Sequence, residues 1–310
     1  MELSSEILEQ LIRRVMSEKS EITLVQFRDE YIEAIKHTHS DSYLRSVKYT
    51  FLQLLKYSDN LKLVKYEPRY IEKFILDKFK ISKYTASLYY RTLKAAFSKA
   101  VEWNYISVNP FTRIKFPKFQ KNRPAFISID ELNTILKYLP NQDLADFYLF
   151  AFYTGCRLSE IINLQWSSIN LNDSIIQIGS KEFITKGKKV RTIPICNQVY
   201  EILIKRFPKI LRQKNNYVFT KYSGFCYSAD YISKTFKKAV RASGMNDDVH
   251  FHTLRHSTAS SLIQKGVSLY IIKELLGHSS ITQTEIYSHL DITSLRDAVN
   301  KFNNTSMGTN

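Results

Sequence analysis

The segment at residues 107–124 limits the fold of this chain more than any other, because it cannot form one continuous helix. It reads SVNPFTRIKFPKFQKNRP, with prolines at 110, 117 and 124. Each proline lacks a backbone N–H and biases the residue before it away from helical geometry. We therefore expect an extended connector here, and we place the boundary between two domains within it.

Before the connector, apolar residues recur at spacings of three and four, the period of an α-helix with one buried face. Three such stripes are present: Phe27, Tyr31 and Ile35; Leu44, Val47, Phe51, Leu54 and Leu55; and Tyr89, Leu93, Ala96, Phe97 and Ala100. We predict that they form the core of a helical domain over residues 22–106, preceded by a leader helix over residues 1–21.

After the connector, the pattern begins as helix. Ser128 and Glu131 have the spacing of a capping box, which predicts a helix that begins there and runs to about residue 138. A second helix is predicted over about residues 143–154. From about residue 228 onward the pattern is helical again, and glycines at Gly244, Gly266 and Gly277 predict helix ends.

One region between these helices has the pattern of a sheet instead. The segments at 174–179 and 182–195 alternate or carry runs of β-branched residues, and Gly187 supplies a turn residue between them. The expected fold class is therefore mainly α with a small antiparallel β-sheet. The second domain is predicted to span residues 125–310.

The charge of the chain predicts a polyanionic partner. There are 45 Lys and Arg against 29 Asp and Glu, a formal net charge of +16, and residues 62–123 hold 15 basic side chains against 4 acidic ones. Clustered cations gain affinity for phosphates by releasing counterions. An anionic membrane surface and a lysine-rich proteome background are the alternatives at this point.

Cysteine content and hydropathy predict a soluble protein of a reducing compartment, the cytoplasm. Cys156, Cys196 and Cys226 are too few and too irregularly spaced for a disulfide framework or a cysteine-based zinc site. No segment approaches the ~18 uninterrupted apolar residues of a membrane span, and the first ten residues, MELSSEILEQ, lack the pattern of a targeting signal.

Five of the seven histidines fall within forty residues, at 250, 252, 256, 278 and 289. One interpretation is a metal site, because His252 and His256 are four residues apart on a predicted helix and Asp247 and Asp248 offer oxygen ligands. Against it, the HTLRH segment lacks the glutamate of a zinc hydrolase motif, and Arg255 inside the site would repel a cation.

A second interpretation makes the arginine part of the site. His252 and Arg255 are three residues apart and share a helix face, a pair of donors suited to phosphate oxygens. Phosphoryl transfer needs its developing negative charge neutralised by metal ions or by fixed cations, and the sequence has no carboxylate cluster to hold metals. The candidate set is Arg157, Lys186, His252, Arg255 and His278, with a hydroxyl nucleophile. Each residue alone has an ordinary alternative as a surface ion pair, a turn residue, a helix cap or a core aromatic.

In this order, the residues resemble the tyrosine recombinase (phage integrase) family, and the layout resembles its short Xer-type members. The matching segments are TGCRLSEI at 154–161, TKGKKVRTIPI at 185–195, HTLRH at 252–256 and LGHSSITQTEIYSHL at 276–290. Upstream, YRTLKAAFSKAVEWNYISVNP at 90–110 is similar to the last helix of the family's SAM-like core-binding domain. The resemblance covers about residues 22–303.

The resemblance implies a nucleophile and its phosphate clamp. Tyr287 would attack the scissile phosphate to give a 3′-phosphotyrosyl intermediate and release a 5′-hydroxyl. Arg157, Arg255 and His278 would hold the non-bridging oxygens. Because the covalent bond conserves the phosphodiester energy, the resemblance implies no ATP, metal or other cofactor.

It also implies the residues that move protons. Lys186 would protonate the leaving oxygen, chosen over neighbouring lysines by its distance to the Pro194 segment, and His252 would assist proton transfer at the tyrosine. Glu160, three residues after Arg157, would orient neighbouring side chains.

The implied partner is duplex DNA bound by a homotetramer, or by a hetero-tetramer with a related recombinase, with no membrane or small-molecule substrate. Residues 292–303 would pack on a neighbouring protomer. The alternatives are a non-catalytic DNA-binding regulator on the same scaffold and a type IB topoisomerase. The cations predicted to contact DNA are Lys83, Arg91, Lys94, Arg113, Lys115, Lys118, Lys121, Arg123 and Lys188.

Overall fold

A computed structural model of the chain describes residues 21–120, 124–179, 190–207, 217–221 and 224–288. The chain divides into two compact units, Met1–Lys121 and Asn122–Asn310. Residues 1–20 of the predicted leader helix and the predicted tail at 292–303 lie outside the described residues.

In its described part, the first unit consists of helices packed around one aromatic core. They are α1 (Leu24–Ile35), α2 (Asp41–Ser58), α3 (Pro68–Ile81) and α4 (Lys83–Glu102). Helix α4 packs against each of the other three. The predicted stripes supply the core, in which Phe27, Val47, Phe51, Leu93 and Phe97 are fully buried. The helix starts follow local chemistry, since the side chains of Ser40 and Ser82 accept from the first turns of α2 and α4.

The connector departs from the extended conformation that its prolines predict. Pro110–Arg113 forms a 3₁₀ turn, because proline fits the first helical position and the side chain of Asn109 accepts from the N–H of Phe111 at 2.9 Å. The hydroxyl of Tyr90 then donates to the carbonyls of Phe111 and Ile114, at 3.2 and 3.0 Å. Residues 114–120 beyond this turn have no regular secondary structure.

The described residues of the second unit form a larger helical body. The helices are α5 (Ile129–Leu136), α6 (Gln142–Thr154), α7 (Leu158–Ile162), α8 (Asn197–Arg206), α9 (Ala229–Ala242), α10 (Phe251–Gln264), α11 (Leu269–Leu276) and α12 (Thr282–Glu285). Helix α5 begins with the predicted capping box between Ser128 and Glu131. Helix α6 is buried on most of its surface and packs against α8 and α10, so it forms the centre of this core.

A small antiparallel sheet lies in the second unit, as the sequence predicts. Its strands are β1 (Ile169–Asn170), β2 (Ile175–Ile178) and β3 (Arg191–Pro194), in the order β1-β2-β3. Ile176 opposes Ile193, and both are buried. The fold class of mainly α with a small antiparallel sheet is confirmed, whereas β1 was not predicted. The turn predicted at Gly187 lies outside the described residues.

Two glycines end helices next to each other in space. Gly155 follows α6 with φ of 62° and Gly277 follows α11 with φ of 68°, a left-handed conformation that favours glycine. A Cβ on Gly155 would lie 2.4 Å from Cδ2 of Leu276, the last residue of α11. Among the described helices, none combines the length and the apolar character needed to cross a membrane.

Candidate active site

Three arginines from three different elements converge on the carboxyl end of α11. Each guanidinium donates to one of three successive carbonyl oxygens. The pairs are Arg191 with Leu275 at 2.9 Å, Arg255 with Leu276 at 2.7 Å, and Arg157 with Gly277 at 3.0 Å. The last carbonyls of a helix have no partner within it and carry its partial negative charge, so this end attracts cations.

Local folding places these arginines. Arg157 lies directly before α7, where the chain leaves the left-handed Gly155, and its side chain is 27% exposed. Arg255 lies on the buried side of α10 and donates a second hydrogen bond to the carbonyl of Gly155 at 2.7 Å. Arg191 lies in β3, which packs against α11. The sequence therefore brings α7, α10 and β3 to one point.

Glu160 connects two of these arginines. Its Oε1 accepts from Arg157 Nη1 at 2.8 Å, and its Oε2 accepts from Arg191 Nη2 at 2.7 Å. Burial opposes ionisation of this carboxyl, but the hydrogen bonds and charge of Arg191, together with the donors of Arg157, outweigh it and lower the pKa of Glu160 to about 2. Glu160 is thus a buried anion at neutral pH that is hydrogen-bonded to both arginines.

The pocket has an excess of positive charge. Desolvation and the charge of Arg255 lower the pKa of His278 to about 4. Burial and the neighbouring Arg157 lower the pKa of Arg255 itself to about 10. Because all of these shifts favour the less positive form, an anion entering the pocket would be stabilised.

Tyr287 lies beside the arginine cluster and is 3% exposed. It belongs to an apolar cluster with residues of α10 and α11, including Ile263 and Leu276. Burial raises the pKa of its hydroxyl to about 12, and the charge of Arg255 acts against that rise. Tyr287 is therefore protonated at neutral pH and lies within the electrostatic reach of Arg255.

The hydroxyl of Tyr287 is hydrogen-bonded to Nδ1 of His256. The sequence analysis expected His252 to assist the tyrosine. His252 instead is exposed and packs edge-to-face on His256, with ring centroids 4.7 Å apart. The structure thus brings together Arg157, His252, Arg255, His278 and Tyr287, and it adds Arg191 and His256, which the sequence analysis did not assign to the site.

The two additional residues leave different traces in the sequence. His256 follows Arg255 directly and lies four residues after His252. In the sequence analysis this spacing was interpreted only as a possible metal site, not as a contact with the tyrosine. Arg191 lies in the TKGKKVRTIPI segment without any feature that points to Glu160. In the described part of the chain, no group of three His, Cys, Asp or Glu side chains is arranged to hold a metal ion.

Some of the cations predicted to act on DNA lie outside the described residues. They are Lys186, which was assigned to the active site, and the predicted DNA contacts Lys121, Arg123 and Lys188. The others lie in the first unit: Lys83, Arg91 and Lys94 on α4, and Arg113, Lys115 and Lys118 in the connector. All six are exposed except Lys94, which is partly buried with its ammonium 5.5 Å from the centre of the Tyr90 ring.

Known protein families match both parts of the chain. The phage integrase family matches residues 125–293, and the phage integrase SAM-like domain matches residues 23–121. A tyrosine recombinase of Thermosipho africanus is 28% identical, over 90% of this chain and 99% of the relative. The tyrosine recombinase XerD of Rickettsia bellii is 31% identical, over 67% of this chain and 73% of the relative.

The fold is similar to that of solved structures. A lambda integrase tetramer bound to a Holliday junction superimposes with a TM-score of 0.75 at 22% identity, covering 88% of this chain and 82% of that one. At this identity the likeness concerns the fold, and the site of the present chain is defined by its own residues.

Proposed function

Because this chain belongs to the phage integrase family of tyrosine recombinases, we propose that it cleaves and rejoins duplex DNA at specific sites through a covalent bond between Tyr287 and a DNA phosphate. The observation that carries the proposal is the convergence of Arg157 and Arg255 on neighbouring carbonyls beside Tyr287. Fixed cations placed this way stabilise the negative charge that develops on phosphorus, as metal ions do in other enzymes.

The arginines retain donors for a phosphate. A guanidinium has five N–H groups. Arg157 donates to the carboxylate of Glu160 and to the carbonyl of Gly277. Arg255 donates to the carbonyls of Gly155 and Leu276. The remaining N–H groups hold the non-bridging oxygens, while the carbonyl contacts fix the orientation of each guanidinium.

His278 completes the clamp as a neutral donor. Its Nδ1 lies 2.7 Å from the hydroxyl of Thr284, and its pKa is lowered to about 4 by desolvation and by Arg255. If the Thr284 hydroxyl donates to Nδ1, the proton of the neutral ring is on Nε2, and this N–H donates to the phosphate.

In the proposed reaction, the Tyr287 oxygen attacks phosphorus and forms a 3′-phosphotyrosyl bond, while the bond to the 5′-oxygen breaks. Lys186 protonates the leaving oxygen. His252, which packs edge-to-face on the histidine bonded to Tyr287, assists proton transfer at the tyrosine from that position. Rejoining is the reverse attack by a 5′-hydroxyl. The covalent bond conserves the energy of the phosphodiester, so the scheme uses no ATP, metal or cofactor.

The partner is duplex DNA, held by the cations of α4 and the connector. Four protomers, identical or paired with a related recombinase, exchange strands through a Holliday junction, the DNA bound by the lambda integrase tetramer of similar fold. We place this activity in the cytoplasm. A non-catalytic regulator and a type IB topoisomerase are less favoured, because the curated relatives described above are tyrosine recombinases.

The test is covalent capture on DNA. The full chain selects a site from a randomised duplex library, and a nicked duplex with that site is incubated with the protein and resolved by denaturing electrophoresis. We expect a protein–DNA band that persists in EDTA and is lost in Tyr287→Phe. Tight binding without this band would favour the regulator, and supercoil relaxation without exchange of flanking DNA would favour the topoisomerase.

A further inference from the structure

The hydroxyl of Tyr287 has a histidine partner that lies outside the set of candidate catalytic residues given by the sequence. The partner atom is Nδ1 of His256, on α10, one residue after Arg255. We propose that His256 accepts the proton of Tyr287 during strand cleavage and returns it to the same oxygen during rejoining. The proposal rests on the function proposed above and adds a catalytic residue to it.

Packing fixes both members of the pair. The His256 ring lies edge-to-face on His252 at 86°, and its centroid is 5.7 Å from that of Tyr287. Tyr287 lies in the apolar cluster that includes Ile263 and Leu276, and its own N–H donates to the carbonyl of Thr284 at 3.1 Å. The hydrogen bond therefore joins two constrained side chains, which is the arrangement of a nucleophile with its base.

The protonation states suit an acceptor. Burial raises the pKa of Tyr287 to about 12, whereas burial and the neighbouring His252 lower the pKa of His256 to about 3. At neutral pH the proton is therefore on the tyrosine oxygen, and a neutral His256 accepts through Nδ1 with its own proton on Nε2. A neutral imidazole in contact with the hydroxyl can accept its proton, and it becomes an effective general base when its pKa rises towards the working pH.

The groups that face His256 explain why transfer is coupled to the arrival of DNA. They are His252, His250, Arg255 and His278, and their positive or potentially positive charges oppose an imidazolium. A phosphate anion held by the arginines offsets this opposition. The proton is thus retained by Tyr287 until a phosphate is in place.

The step balances in both directions. As the Tyr287 oxygen bonds to phosphorus, its proton moves to Nδ1 of His256, and the electron pair of the breaking bond leaves with the 5′-oxygen, which takes a proton from Lys186. In rejoining, the 5′-hydroxyl gives its proton to Lys186 and attacks phosphorus. The tyrosine oxygen leaves with its electron pair and recovers the proton from the His256 imidazolium.

His256→Asn tests the proposal, because the amide oxygen of Asn lies near the position of Nδ1 and accepts a hydrogen bond but is not a base. Single-turnover covalent capture with the full chain and the nicked selected duplex is measured from pH 6.5 to 9. We expect cleavage at pH 7 to fall about 10²–10⁴-fold with DNA binding retained. We also expect a steeper rise of rate with pH than in the wild type, because hydroxide must then remove the proton.

Two further measurements complete the design. His37→Asn removes an exposed imidazole of the first unit and is expected to cleave at the wild-type rate. If the Asn variant is poorly folded, His256→Ala with added imidazole replaces it, and restoration of cleavage in proportion to the free base is expected.

The outcomes are distinct. A His256→Asn rate within threefold of the wild type, or above it, would overturn the proposal, since the residue would then only hold the tyrosine. A loss that is equal at every pH, or a His256→Ala rate that imidazole does not restore, would also overturn it. If the wild type itself gives no covalent product, the proposed function fails, which is a different result from a normal wild type with an unaffected variant.

Discussion

Arg191 and Glu160 are joined by two hydrogen bonds, of 3.1 and 2.7 Å, although they lie 31 residues apart in the sequence. Their side chains are 9% and 1% exposed. This buried ion pair connects β3, which begins five residues after Lys186 in the sequence, to the carboxylate that also accepts from Arg157. Removing one partner of such a pair leaves the other charge buried without compensation.

Glu160→Gln is therefore expected to lower the free energy of unfolding by roughly 3–5 kcal/mol. The measurement is urea unfolding of the full chain followed by circular dichroism. The control is Asp230→Asn, which removes an ion pair with Lys234 in which both side chains are 73% exposed, and it is expected to change stability little. Equal losses in the two variants would contradict a special role for the buried pair.

Gly277→Ala is expected to destabilise the chain and slow cleavage more than Gly244→Ala does. Both glycines have a left-handed φ, of 68° and 72°, so the conformational strain of alanine, about 1 kcal/mol, is common to the two variants. A Cβ on Gly277 would also lie 2.9 Å from Cδ of Arg191, whereas a Cβ on Gly244 meets nothing within 4 Å. Measuring the unfolding free energy and the rate of covalent capture for both variants isolates the effect of this contact. Equal values for the two variants would show that the contact with Arg191 does not matter.

Arg255→Ala is expected to reduce covalent capture by at least ~100-fold, the scale for losing one preorganised contact to a transition state, while DNA binding falls little. It also leaves the buried carbonyls of Gly155 and Leu276 without donors. The unfolding free energy is therefore measured alongside the rate. Arg241→Ala, at an exposed arginine of α9, is the matched control. Comparable losses of binding and cleavage would show that Arg255 only contacts DNA.

Acidification is expected to destabilise the second unit. The pKa values of His256 and His278 are lowered to about 3 and about 4, chiefly by burial, from an ordinary value of 6.5. Between the lowered pKa values and 6.5, the unfolded chain binds more protons than the folded chain does. The contribution of these two histidines to stability is therefore fully present above pH 6.5 and is lost as the pH falls towards 4. Each group contributes up to about 1.4 kcal/mol per pH unit.

Urea unfolding at neutral and mildly acidic pH measures this loss. Replacing both histidines with asparagine is expected to make the loss smaller, because neither group then takes up a proton on unfolding. An equal loss in the double variant would assign the acid sensitivity to other groups.

Lys118→Ala is expected to weaken DNA binding across sequences and to flatten the dependence of log K on log salt by about one unit, since one phosphate contact is lost. Lys118 is exposed in the connector. The control is Lys36→Ala, whose ammonium pairs with Glu33 on α1. Titration of the selected duplex at several salt concentrations gives both slopes, and an unchanged slope would remove Lys118 from the phosphate contacts.

Features that depend on local periodicity were predictable from the sequence. Phe51 and Phe97 belong to helical stripes whose spacing identifies the buried face, and both are fully buried. Arg157, Arg255 and His278 lie in short segments whose residue order suggested a phosphate site, and the fold brings them to one helix end. Gly277 was recognisable as a helix end, because few other residues adopt a left-handed φ.

Features that depend on contacts between residues far apart in the sequence were not predictable. Tyr287 lies 31 residues from His256, the same separation as between Glu160 and Arg191, and no periodic pattern relates side chains across such a distance. The sequence analysis assigned His252 to the tyrosine, but His252 and His256 share one stripe of α10, and His256 is the residue hydrogen-bonded to Tyr287. Strand β1 has two residues, too few for an alternating pattern to appear.

The three carbonyls at the end of α11 have a consequence for how this site tolerates sequence divergence. Because Arg157, Arg191 and Arg255 donate to main-chain carbonyls, the acceptors that set the separation of their guanidinium groups come from the backbone of residues 275–277 and not from the side chains of α11. The side chains of Tyr270 and Ile271 on that helix are 66% and 59% exposed, so we expect substitutions at these two positions to leave the spacing of the charges unchanged.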